Sequence, residues 1–112
     1  MADPDGTPVL DLLTGMTAAS IEASSLDAQS LMVARIAALV AVDAPPVSYL
    51  MNLGAASEVD VDIDDVRGIL VAIAPIVGTA RVASATGNIV QALGVALEVA
   101  ELEAELEAAE AE

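Results

Sequence analysis

The side chains in this 112-residue chain that could do chemistry are one tyrosine, three arginines and eighteen carboxylates, with no cysteine, histidine or lysine. The missing thiol excludes disulfides, thiolate nucleophiles and Cys-ligated metals. The missing imidazole removes the usual general base and the commonest metal ligand. Proton transfer would then fall to Tyr49, or to a carboxylate such as Glu58, with a shifted pKa. Arg81, just after Gly78 and Thr79, could hold an anion, and Asn52 could hydrogen-bond a ligand. Each has a structural alternative, and the composition favours it. In a carboxylate-rich chain Arg81 finds an ion pair, within its helix or between subunits. Tyr49 reads as a helix-interface aromatic with its hydroxyl at the edge, and Asn52 as a polar contact between helices.

The densest acidic cluster is Asp60 to Asp65, DVDIDD. A calcium loop of the EF-hand kind needs Gly at its sixth position and Glu at its twelfth. Counted from Asp60, those positions hold Asp65 and Val71. The cluster fits helix entry better: Asp62 caps, and Asp65 three residues on complements the positive end of the helix. No metal and no cofactor is expected.

The elements that must position these groups are helices. Hydrophobic residues make up 56% of the chain, yet Phe and Trp are absent and Tyr49 is the sole aromatic. Small aliphatic side chains bury little area each, at ~25 cal/mol per Å². A single short domain with such thin helices gains from a partner subunit. The net charge of −15 repels phosphate backbones and anionic lipid, so neither nucleic acid nor membrane is an expected partner. The longest apolar run, Ile36 to Val42, falls far short of the ~20 residues that span a bilayer. Met1 to Pro8 is acidic and polar where a secretory signal is basic and then apolar, so a cytoplasmic location is expected.

Along the chain, residues 1–8 read as a disordered lead-in, residues 9–102 as one helical domain and residues 103–112 as an acidic helix end or tail. Residues 9–25 hold only weak helical patches, at Leu10–Leu13 and Ala18–Ala23. A helix is predicted from Ser25 to Val42, capped by Ser25 or Asp27. It carries two apolar stripes: Leu31, Ala34, Ala38 and Val42, and then Met32, Ile36 and Leu39. Pro45 and Pro46 end it, and Pro46 opens a helix to Ser57. The next helix, from Ile63 or Asp64 to Val77, presents Val66, Ile69, Leu70, Ile73 and Ile76 as its buried face, with Pro75 kinking or ending it.

The last helix starts near Ala80 and can run to the C-terminus. Ala85, Asn88, Ala92, Val95, Val99, Leu102, Leu106 and Ala109 form a heptad seam along it. Pairs such as Glu101 with Glu105 are like charges one turn apart, and acid at a helix C-terminus opposes the macrodipole. The seam wants a partner while the charge frays the end, so helix is expected to about Leu102 and conditionally beyond. An acidic helix of this kind could also lie in a groove of another protein.

The segments SLDAQSLMVARIAALVAVDAP and DIDDVRGILVAIAPIVGTARV resemble the carboxymuconolactone decarboxylase family and its alkylhydroperoxidase-D-like relatives. There an acidic cap opens an aliphatic helix that closes in a glycine turn beside the next long helix. The likeness covers Leu26 to Ala100 and implies an all-α bundle assembling as trimers or hexamers. The family's peroxidase branch uses a Cys-x-x-Cys pair, which this chain lacks. Where the decarboxylase branch has a His and a carboxylate, this chain has Asn52 and Ser48. Of the family's Tyr-x-Gly-x-Pro turn only Gly78 is kept, in Ile76-Val77-Gly78-Thr79-Ala80. The resemblance makes Asn52, Gly78 and Arg81 the candidate ligand contacts. The expected function is a homo-oligomeric binding or scaffold protein that could hold a small-molecule ligand. The alternative is decarboxylation of a small lactone or carboxylate by Arg81 and Tyr49.

Overall fold

Pro8 opens the first helix because a first-turn residue needs no backbone donor, and its fixed φ already suits the helix. The computed structural model describes residues 6–111, which fold into five helices: α1 (Pro8–Ala23), α2 (Ala28–Ala41), α3 (Pro46–Glu58), α4 (Ile63–Val77) and α5 (Thr79–Ala111). The fold class is all-α, with no strand among the described residues. Most of the expected lead-in, residues 1–5, lies outside the described residues. Pro8 itself is helical, and the weak patches of residues 9–25 belong to one continuous helix.

Short-range chemistry sets the helix starts. The Asp27 carboxylate accepts from the Ser30 N–H at 2.8 Å and from its hydroxyl at 3.1 Å, so α2 begins at Ala28 rather than Ser25. Asp62 and Asp65 form a reciprocal capping box, each carboxylate accepting the other's backbone N–H at 3.0 Å. The DVDIDD cluster is therefore a helix entry. Pro75 removes one donor from the last turn of α4, which ends two residues later. Gly78, at φ +88°, then turns the chain in a single residue, and α5 starts at Thr79.

Helices α2 to α5 pack on one another, α2 and α5 each against α3 and α4, with a further contact between α2 and α5. Their core holds Met32, Ile36 and Val40 from α2, Tyr49 and Ala56 from α3, Val66 and Ile69 from α4, and Ala85, Ile89 and Ala92 from α5. Ala44 and Val61 close it at the two corners. The inward stripe of α2 is the one through Met32 and Ile36; Ala34, Ala38 and Val42 lie outward. The aliphatic side chains all around this helix leave the phase to its neighbours. Ile76, expected in the buried face of α4, is 86% exposed, because the chain turns away at Gly78 before anything can cover it.

Two elements stand outside this bundle. No residue of α1 is buried, and Val9, Leu10, Leu12, Leu13 and Met16 are exposed. Arg35 reaches α1 through a 3.2 Å hydrogen bond to Ser20 Oγ. In α5, Ala85 and Ala92 of the predicted seam are buried, but Val95, Val99, Leu102 and Leu106 are exposed. The helix nevertheless continues past Leu102 to Ala111. At 33 residues it spans about 50 Å at 1.5 Å per residue, and the chain's longest extent is 52 Å. The radius of gyration is 16.6 Å, against roughly 13 Å for a compact domain of this length.

Candidate functional site

The corner between α2 and α3 carries a charged cluster that ties distant parts of the chain together. Asp43 sits there at φ +55°, in the left-handed region that Asp tolerates better than most residues. One carboxylate oxygen accepts from Ser84 Oγ at 2.6 Å, and the other faces Arg81 Nη1 at 3.5 Å. Both contacts come from the first turns of α5. Asn88, one turn further on, donates to the backbone carbonyl of Ala44 at 3.2 Å. Arg81, Ser84 and Asn88 thus hold the corner at three successive steps along α5, and the Ala-Pro-Pro that follows Asp43 directs the chain into α3.

Tyr49 lies behind this corner. Its side chain is fully buried, and its hydroxyl finds no hydrogen-bond partner among the described residues. Burial pushes its phenol above the ordinary value near 10, and the Asp43 charge pushes the same way. The hydroxyl expected at the edge of a helix interface is instead sealed inside it. A neutral phenol sealed from solvent is a poor proton acceptor at neutral pH.

The sequence candidates separate in space. Arg81 pairs with Asp43, and the Asp43 charge also reaches Tyr49. Gly78 forms the turn three residues before Arg81. Asn52 is half-buried and donates to the carbonyl of Ser48 in its own helix at 2.8 Å, not to a neighbouring helix. Glu58 closes the other end of α3, beside Ile21 and Leu26, nine residues from Tyr49 and so about 13 Å along the helix. No group of three metal-ligating side chains converges among the described residues. Asp43 and Ser84 were not among the candidates. An Asp immediately before Ala-Pro-Pro, where the chain must turn sharply, was the local signal for the first.

The best-formed surface hollows lie elsewhere, and neither Tyr49 nor Arg81 lines any of them. Three adjoin one another between α3, the start of α4 and α5, with volumes of about 290, 240 and 330 Å³. Leu93 lines all three. The geometry is that of an apolar groove, with the structural ion pair at a separate corner. By length and composition alone α5 is also apolar enough to cross a membrane, but its first half gives Ala85, Ile89 and Ala92 to the bundle core.

Compared with protein-family models, curated proteins and solved structures, the chain matches none.

Proposed function

We propose that this chain is a homo-oligomeric binding or scaffold protein, related to the carboxymuconolactone decarboxylase family in its helical architecture and without peroxidase activity. The observation that carries the reading is surplus surface. The chain exposes 7852 Å², against roughly 5,700 Å² for a compact monomer of its mass. A standard protein interface covers about 800 Å² on each partner, so the surplus exceeds what one such contact removes. It is concentrated on α1 and the far half of α5, whose large aliphatic side chains stay exposed. Burial of these faces against copies of the same chain supplies what the small core lacks.

A decarboxylase built on Arg81 and Tyr49 would need both groups to reach one ligand. The Asp43 carboxylate holds the guanidinium, and the phenol is sealed from solvent, which supports a structural role for both. The test of the assembly reading is thermal unfolding at protein concentrations a hundredfold apart. Mass action raises the midpoint of an assembling protein with concentration. A midpoint that stays fixed across that range contradicts the proposal.

A further inference from the structure

We infer that α1 of one protomer seats in the Leu93 groove of the next copy, head to tail around a closed ring. This rests on the assembly proposed above and names its contact. The groove follows α5 from Thr86 to Ala96, roughly 15 Å at 1.5 Å per residue, and α1 is about 24 Å long on the same basis. Leu53 and Val66 flank Leu93, and Gly54 stands at one end. A Cβ on Gly54 would meet no heavy atom within 4 Å, so the position has room for a larger side chain. Helix α1 offers Val9, Leu12 and Met16 at helical spacing, each more than half exposed.

Charge chooses between the two uncovered segments. The far half of α5 would bring Glu98, Glu101, Glu103, Glu105, Glu107 and Glu110 against a groove edged by Asp62. Helix α1 brings only Asp11 and Glu22. In a chain of net charge −15, the less charged helix is the one that a second copy accepts at lower electrostatic cost.

The chain has no cysteine, so engineered thiols report one contact at a time. Protein carrying Met16→Cys is mixed with protein carrying Ser57→Cys, on the groove, or Ala38→Cys, exposed on α2, and mildly oxidised. All three positions are exposed, so the variants keep the fold. The expected result is a disulfide-linked dimer of the two variants at least tenfold more abundant with Ser57→Cys than with Ala38→Cys. Gly54→Leu, which fills the groove from a position with free space, is expected to lower the solution mass while leaving helicity intact. Equal crosslinking at both sites, or an unchanged mass for Gly54→Leu, overturns this contact and leaves assembly standing. A wild-type chain that is itself monomeric overturns both.

Discussion

Ser84 donates a 2.6 Å hydrogen bond to Asp43 across 41 residues of sequence, and so the start of α5 is fastened to the corner that aims α3. The contact gives Asp43 a use for its left-handed backbone, and it places the carboxylate where Arg81 and the buried Tyr49 both feel its charge.

Asp43→Ala loses the hydrogen bond and the left-handed preference together, and is expected to destabilise the fold by about 1–2 kcal/mol. Arg81→Ala should cost under about 1 kcal/mol, because the pair is nearly half exposed and solvent screens it (side-chain exposure 47% and 43%). Urea denaturation of the two variants checks the order. Arg81→Ala proving the more damaging would show that the ion pair, not the Ser84 contact, holds the corner.

Tyr49 is the only aromatic residue, so phenolate absorbance near 295 nm reports this one group. In the folded protein it should titrate above its ordinary value of about 10, and in concentrated urea near that value. The folded pKa is raised, so the associated stability is fully present below the unfolded pKa and is lost as pH rises through the folded one. Wild type should therefore lose stability as pH rises above about 10, and Tyr49→Phe should lessen that dependence. At neutral pH the same variant removes a buried hydroxyl without a partner, and is expected to match or exceed wild type by up to about 1 kcal/mol. A loss larger than that would mean the hydroxyl is bonded.

Where the controlling chemistry is local, the sequence carries the fold plainly. Asp27 three residues before Ser30, Pro46 after Pro45, and Asp62 with Asp65 each specify a helix start without help from the rest of the chain. The facing of α2 was not legible in the same way. Leu31, Met32, Ala34, Ile36, Ala38 and Leu39 surround the helix with aliphatic groups, and only the packing of α3, α4 and α5 selects the Met32–Ile36 line. Ile76 misled because periodicity does not see the Gly78 corner that leaves it uncovered. The Asp43–Ser84–Arg81 cluster is set by tertiary contacts more than thirty residues apart, which spacing cannot express.

The far end of α5 sets carboxylates one turn apart, Glu101 with Glu105 and Glu103 with Glu107. Glu107→Lys replaces one repulsion with an attraction to Glu103, acid before base in the favourable order, and adds a cation near the negative end of the helix. It is expected to raise helicity at 222 nm in low salt, with a gain of a few tenths of a kcal/mol. Added salt should narrow the gap between variant and wild type. A variant with unchanged ellipticity would show that neighbouring contacts, not charge, govern this end.

Light scattering of the purified chain at low and high salt tests assembly most directly. The expected mass is a whole multiple of 11.2 kDa, a trimer or hexamer, retained or strengthened as salt screens the net charge of −15. A mass of 11.2 kDa in both conditions, at concentrations where the chain is folded, would contradict the account.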